Sequence, residues 1–240
     1  MPITRRPLHH DGPGGRFAGV FAWDDSIAGA RPGVLVVPNI LGQKEADNAK
    51  AEALAALGYA AYACDLYGEG RRAEPGPDIS RYMDELNADR ALLRDRLAAS
   101  LAALVAQPEV DAARTAAIGF CFGGKCVLDM ARAGLDVRGV VSFHGVYDRP
   151  DYASVAPITA KVLVCHGWDD PLGPPEAVTA LAQELTEARA DWQIHAYGNA
   201  GHAFTDEARR GSTVPGVAYE ERADRRSWAA MRSFLEEALG

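Results

Sequence analysis

The sequence GFCFGG at residues 119–124 lies between an apolar run and a segment with helical spacing. Residues 115–118 read TAAI, which predicts a buried strand, and residues 125–131 place their apolar side chains on one face of a helix. A strand that turns into a helix through Gly-x-Cys-x-Gly-Gly is the nucleophile-elbow pattern, here with cysteine where serine is more usual. The pattern predicts that Cys121 is held at the carboxyl end of a strand.

In this interpretation, the turn requires glycine on either side of Cys121 for steric reasons. A tight strand-to-helix turn brings the flanking backbones so close that side chains at positions 119 and 123 would collide. The helix that follows directs its free N–H groups and the positive end of its dipole at the same point, which favours a thiolate and an oxyanion. The alternative reading is a glycine-rich turn that holds a buried structural cysteine.

Composition limits the classes of protein. The 240 residues are 48% hydrophobic and 24% charged, which is typical of one larger globular domain, so we expect a single domain over residues 1–240. A net charge of −8 argues against nucleic acid or an anionic membrane surface as partner. The four cysteines form no C-x-x-C pair or disulfide framework. With no apparent signal peptide or membrane-length apolar run, these features predict a soluble, cytoplasmic protein.

Strand and helix signals alternate along the chain. Strands are predicted at residues 16–23, 33–38, 59–66, 115–118, 137–143, 161–165 and 192–197. Helices are predicted at residues 45–57, 79–105 with a break near Asn87, 125–131, 176–188 and 223–239. The polar segment that contains His9 and His10 receives no element. The alternation predicts one three-layer α/β domain, a mostly parallel sheet with helices on both faces.

Four predicted strand ends carry candidate chemistry. Parallel sheets bind ligands at the carboxyl ends of their strands. These ends are the elbow, PNILG at residues 38–42, CHGWDDP at residues 165–171 and NAGHAF at residues 199–204. Nucleophile, acid and base then follow one another as Cys121, Asp170 and His202, the chain order of α/β-hydrolase triads.

Each member of the predicted triad has a chemical role. His202 takes the proton of the Cys121 thiol or pairs with the thiolate, because a free thiol is mostly protonated at neutral pH. Asp170 fixes the tautomer and orientation of the imidazole. The backbone N–H groups of Phe122, next to the nucleophile, and of Ile40 are predicted to stabilise the tetrahedral oxyanion.

Other residues compete for these roles. Asp169 is adjacent to Asp170, but Asp170 has the G-x-x-D spacing of an acid loop and is preferred. His195 lies within a predicted strand and His166 opens a turn, so we expect both to be structural. His144 ends a strand and can line the pocket, although it precedes the acid in the chain. The remaining cysteines lie in apolar runs, and no ligand spacing recurs that would predict a metal site.

Several of these segments together resemble the dienelactone hydrolase family. They are the elbow, residues 166–171, residues 201–204, DLYG at residues 65–68 and SFHG at residues 142–145. The resemblance implies an α/β-hydrolase fold without a large lid domain and a Cys–His–Asp triad of Cys121, His202 and Asp170. It also implies hydrolysis of a lactone or small ester through an acyl-cysteine, without a cofactor. The candidate substrate-binding residues are Asn39, Tyr67, Arg81, His144, Trp168 and Phe204.

Two positions depart from the family pattern. Chlorocatechol-pathway members have a Glu where this chain has Asn39, and an Arg shortly after the catalytic His where this chain has Asp206. A substrate carboxylate needs a fixed positive partner, so we expect neutral esters or lactones to be preferred. The alternative is that Asp206 points to solvent and an anion is bound by Arg71, Arg72 or Arg81.

Three functions follow from the sequence, in order of preference. The first is a hydrolase of small esters or lactones that acts through an acyl-cysteine. The second is a thioesterase or amidohydrolase with the same triad, since acyl-cysteine chemistry does not fix the leaving group. The third is a hydrolase-like protein that binds a ligand without catalysis. The expected partner is a small-molecule ester or lactone, and the sequence predicts no oligomeric state.

Overall fold

The computed structural model describes residues 3–240 and contains one eight-stranded sheet. Its strand order is β1-β2-β4-β3-β5-β6-β7-β8, with β1–β2 and β2–β4 antiparallel and the other neighbours parallel. The strands are β1 Ile3–Gly12, β2 Gly15–Asp24, β3 Arg31–Val37, β4 Ala60–Ala63, β5 Val110–Phe120, β6 Gly139–Phe143, β7 Lys161–Gly167 and β8 Trp192–Tyr197.

Helices cover both faces of this sheet. They are α1 Glu45–Ala55, α2 Arg81–Ala88, α3 Arg90–Val105, α4 Phe122–Arg132, α5 Pro175–Glu187 and α6 Glu221–Leu239. Along β3, Val34 and Val36 pack with α1 and α6, whereas Leu35 and Val37 pack with the cluster formed by α2 to α5. This alternation is the two-residue period of a strand buried on both faces. The predicted three-layer α/β-hydrolase arrangement is confirmed, and residues 3–240 contain no lid domain inserted between the strands.

The N-terminal segment is a strand that the sequence did not predict. Residues that were given no element form β1, which pairs over its whole length with β2 through a tight turn at Pro13-Gly14. His10, expected to have no partner, stacks on Phe17 with ring centroids 5.2 Å apart. An edge strand with one solvated face can be built from polar residues, so it lacks the apolar run that identifies a central strand.

One strand is shorter than predicted, and one predicted helix break is present. The strand predicted at residues 59–66 is shorter, because the Asp65 carboxylate accepts hydrogen bonds from the N–H groups of Tyr67, Gly68 and Gly70 and turns the chain into a loop. The predicted break in the long helix is confirmed. Asp89 separates α2 from α3, and its side chain caps α3 by accepting from the N–H of Leu92.

The carboxyl ends of the parallel strands lie along one edge of the sheet. The loops after β3, β5, β6, β7 and β8 therefore converge there, with the end of β5 between the ends of β3 and β6. Within residues 3–240, every helix is too short or too polar to cross a membrane.

Candidate active site

The predicted elbow is a strained turn between β5 and α4. Cys121 has φ 55° and ψ −114°, a conformation that residues with a side chain rarely adopt. A Cβ atom at Gly119 would lie 2.0 Å from the carbonyl oxygen of Gly123, and one at Gly123 would lie 2.2 Å from that of Val37. Both glycines are therefore required by close backbone contacts. The Cys121 side chain is partly exposed at this turn, whereas the other three cysteines are buried.

Asp170 and His202 are joined by a direct hydrogen bond. The distance from Asp170 Oδ2 to His202 Nδ1 is 2.8 Å, and both side chains are buried. The other oxygen of Asp170 accepts from the N–H of Leu172 at 2.8 Å, which fixes the carboxylate. Asp169 is exposed, and its backbone N–H donates to the carbonyl of Ala200. The geometry places Asp170, and not Asp169, behind the imidazole.

The surroundings of His202 favour its charged form. Burial alone would lower the pKa of the ring, but the hydrogen bond that His202 donates to Asp170 and the interaction with Cys121 outweigh burial and raise the pKa to about 10. The Nε2 atom is buried and makes no hydrogen bond of good geometry to a protein group among residues 3–240. The imidazolium form that these contacts stabilise is the one that can support a thiolate and give a proton to a leaving group.

His144 lies beside His202 but has neutral partners. The rings meet edge to face with centroids 5.2 Å apart. The backbone N–H of Cys121 donates to His144 Nδ1 at 3.2 Å, and Nε2 is 2.8 Å from Thr205 Oγ1. Burial, with smaller contributions from His202 and Lys50, lowers the pKa of His144 well below its usual value of 6.5. Both ring nitrogens are thus occupied by protein groups.

The predicted oxyanion donors are available. Phe122 is the first residue of α4, so its N–H has no acceptor within the helix. The N–H of Ile40 donates to no acceptor among residues 3–240, while its carbonyl accepts from the Tyr67 hydroxyl at 2.8 Å. Asn39 shapes the same turn, since its Oδ1 accepts from the N–H of Leu41 and from Lys44 Nζ, each at 3.0 Å.

A cleft of about 590 Å³, its open mouth included, surrounds Cys121. The predicted residues that line it are Asn39, Ile40, Cys121, His144 and His202.

The four remaining candidates for substrate binding do not line this cleft. Tyr67 is buried and contacts Ile40 from behind, and Phe204 is fully buried against the His144 ring, 5.1 Å between centroids. Arg81 is exposed and pairs with Glu85, and Trp168 is 47% exposed beside His166. Two of these four candidates therefore support residues of the cleft, the other two lie at the surface, and none of them lines the cleft.

A sequence profile of the dienelactone hydrolase family matches residues 17–239. The chain belongs to the dienelactone hydrolase family. As a member it is an enzyme that hydrolyses ester or lactone bonds.

Three known proteins illustrate how similar other proteins are to this chain. The solved structure m3DLH is 42% identical, with a TM-score of 0.94 and 99% of each chain covered. A dienelactone hydrolase-like promiscuous phosphotriesterase from metagenomic libraries is 39% identical, with a TM-score of 0.94 and 100% of each chain covered. An uncharacterized protein of Caenorhabditis elegans is 37% identical over 149 residues, 61% of this chain and 94% of that protein.

The sequence did not predict five polar residues that line this cleft: Lys44, Asp47, Lys50, Thr205 and Arg209. Lys50 comes from α1, and its ammonium lies 4.6 Å from the centroid of the Phe120 ring. Burial lowers the pKa of Lys50, although the carboxylates of Asp47, Asp206 and Asp224 oppose this. The spacing of Lys44, Asp47 and Lys50 was a usable signal, because residues three apart share a helix face.

Arg209 follows His202 in the chain and lies on a short 3₁₀-helix, Glu207–Arg209, whose N-cap is Asp206. Asp206 also lines the cleft. Arg71 and Arg72, the alternative anion-binding residues, donate instead to backbone carbonyls of Tyr67, Gly68 and Gln43. The cleft therefore contains both cations and carboxylates, from segments that the sequence did not bring together. No cluster of three His, Cys, Asp or Glu side chains suited to a metal ion occurs within residues 3–240.

Proposed function

We propose that this enzyme hydrolyses small esters or lactones by acyl transfer to Cys121, with His202 as acid and base and Asp170 as the orienting carboxylate. The observation that carries the proposal is the 2.8 Å hydrogen bond that His202 donates to Asp170, beside the cleft that holds the elbow cysteine. A structural cysteine would need neither a buried Asp–His pair nor free N–H groups beside it. The alternative of a non-catalytic binding protein is disfavoured by membership of an enzyme family.

The reaction runs in two halves. The thiolate of Cys121 attacks the carbonyl carbon, and the oxygen that becomes negative accepts hydrogen bonds from the N–H groups of Ile40 and Phe122. His202 gives its proton to the leaving oxygen as the C–O bond breaks, which leaves an acyl-cysteine. A water molecule then attacks the acyl carbon, its proton passes to His202, and the C–S bond breaks to release the acid and restore the ion pair.

The leaving group is proposed to be an alcohol oxygen. The same nucleophile could accept an acyl group from a thioester or amide, so the test uses a panel of esters, lactones, thioesters and anilides. A phosphotriester joins the panel because one relative is described as a promiscuous phosphotriesterase. We expect the oxygen esters and lactones to have the highest kcat/KM.

The decisive experiment compares Cys121→Ala with Cys165→Ala. The first should abolish turnover of a chromogenic ester without loss of fold, and the second should retain turnover. Wild type should give a burst of product and an acyl adduct on Cys121 in a peptide map. Turnover by Cys121→Ala, or an adduct elsewhere, would contradict the proposal.

Brief alkylation with iodoacetamide gives an independent readout. Cys64, Cys126 and Cys165 are buried, and burial raises the pKa of each of these thiols. Cys121 is partly exposed and lies at a helix N-terminus beside His202, so it should react first. Alkylation that begins at another cysteine would count against the site.

A further inference from the structure

The hydrogen bonds of His144 fix its tautomer. A backbone N–H can only donate, so the Cys121 N–H requires a bare Nδ1 atom on the ring. The proton of the neutral ring then resides on Nε2, which faces Thr205 Oγ1 at 2.8 Å. His144 is therefore the donor in this second contact, and the threonine oxygen is the acceptor.

This assignment leaves the Thr205 hydroxyl with a hydrogen to donate. No other group among residues 3–240 accepts a hydrogen bond from Thr205. Thr205 lines the cleft together with Cys121 and His202. A hydroxyl whose oxygen is held by a donor and whose hydrogen is free at a cleft is suited to bind an acceptor atom of a bound molecule.

The position of Thr205 indicates which substrate atom this is. The carbonyl oxygen is expected at the Ile40 and Phe122 N–H groups, whereas the leaving oxygen is expected next to His202. Thr205 follows His202 by three residues and lies within hydrogen-bond distance of His144, whose ring contacts the His202 ring. His202 must give its proton to the leaving group, so the leaving group occupies the side where Thr205 lies.

We propose that the Thr205 hydroxyl donates a hydrogen bond to the leaving oxygen of the ester, with His144 as the positioning residue that aims it. The inference rests on the proposed acyl transfer to Cys121. The bond should strengthen as the C–O bond breaks and the oxygen gains negative charge, so it should act on the rate of acylation more than on binding.

The test compares an oxygen ester with a thioester of the same acid and the same aryl group. Sulfur is a weak acceptor, so the thioester gains little from the hydroxyl. Thr205→Val should lower the single-turnover acylation rate for the oxygen ester by about 10-fold, the effect of one hydrogen bond to a charged group. The rate for the thioester should change by less than about 2-fold. Thr205→Ser, which keeps the hydroxyl, should restore most of the ester rate.

A double-mutant cycle tests the role of His144. His144→Phe removes the donor to Thr205, while the Cys121 N–H keeps its second acceptor, the carbonyl of Phe143 at 3.0 Å. His144→Phe should lower the ester-to-thioester rate ratio when Thr205 is present. It should have little further effect on that ratio when combined with Thr205→Val. Nitrogen NMR of the free enzyme should show a bare Nδ1 and a protonated Nε2 on His144.

The outcomes separate this inference from the proposed function. Equal rate losses for ester and thioester in Thr205→Val, or no loss at all, would overturn the Thr205 role while Cys121→Ala remained inactive. The opposite tautomer of His144 would overturn it as well. Turnover by Cys121→Ala would overturn acyl transfer to Cys121 itself.

Discussion

The surroundings of the two cleft histidines shift their pKa values in opposite directions, upward for His202 and downward for His144. Their rings are in contact and both are buried. Burial lowers the pKa of each, yet the pKa of His202 rises to about 10 while that of His144 falls well below 6.5. The difference lies in their partners, because His202 has a carboxylate and a thiol, whereas His144 has a backbone N–H and a hydroxyl. The charge of the partner, and not burial, determines which ring can transfer a proton.

The strongest way to break this contrast is to neutralise the carboxylate. Asp170→Asn should lower the acylation rate by about 10³-fold or more, because the imidazole loses its fixed tautomer and its stabilised charged form. Burst kinetics with a chromogenic ester measure the acylation rate. Asp169→Asn is the matched control and should change that rate little, since Asp169 is exposed. Similar losses in both variants would contradict the assignment of Asp170.

Stability at high pH tests the His202 half of the contrast. The folded pKa of about 10 lies above the ordinary value of 6.5, so the folded state binds a proton more tightly than the unfolded chain. The stabilisation is fully present below pH 6.5 and is lost as the pH rises through about 10. Denaturant unfolding from pH 6 to pH 11 should therefore show a loss of free energy that His202→Gln lacks. Parallel pH curves for the two proteins would refute the shift.

Stability at low pH tests the His144 half, with the opposite sign. The folded pKa lies below 6.5, so in acid the unfolded chain binds a proton that the buried ring does not. The free energy of unfolding should fall as the pH drops below 6.5, and this loss should be smaller in His144→Phe. Denaturant unfolding between pH 5 and pH 7 measures it. A His144 ring that titrates near 6.5 by NMR would be inconsistent with the neutral network.

Substrate charge gives the smallest expected effect. The cleft cations Lys44, Lys50 and Arg209 are opposed by Asp47 and Asp206 in the lining and by Asp224 near Lys50, so neutral esters should be preferred to carboxylate-bearing ones. A 4-nitrophenyl butyrate and the matching succinate monoester form a suitable pair.

Single changes in cleft charge should move this preference in opposite directions. Asp206→Asn should lower the ratio of kcat/KM for the neutral ester to that for the charged ester, and Lys50→Met should raise this ratio. Each change should be roughly 5-fold, because removing one charge from the cleft alters the interaction with a substrate carboxylate by about 1 kcal/mol. Lys50→Met should also raise the pKa of His144, because Lys50 is one of the charges that lower it. A wild-type preference for the succinate would reverse the expected substrate class.

The sequence contained the local part of this site. The elbow glycines, the strand-end positions of Cys121, Asp170 and His202, and the alternation of strands and helices depend on neighbours in the chain, so their patterns could be read directly. The Asp170–His202 contact joins two loops, but chain order and spacing were enough to place it.

What the sequence did not reveal depends on contacts between distant segments. Lys50 reaches the cleft from α1, and Arg209 from a short 3₁₀-helix after β8. The pairing of Thr205 with His144 spans 61 positions and has no sequence pattern. β1 was missed because it is held by antiparallel backbone pairing with β2 and has no run of buried apolar residues of its own.

The backbone of the elbow has a consequence for how this site can evolve. Contacts under 3 Å exclude side chains at Gly119 and Gly123. The positive φ of Cys121 is strained to a similar degree for any residue with a Cβ atom. The turn therefore constrains its neighbours without distinguishing cysteine from serine at position 121. A single-base codon change can exchange sulfur for oxygen in the same backbone. Under the proposed acyl transfer to Cys121, selection between a thiol and a hydroxyl then acts on His202 and Asp170, because the proton affinity of the imidazole has to match the attacking atom.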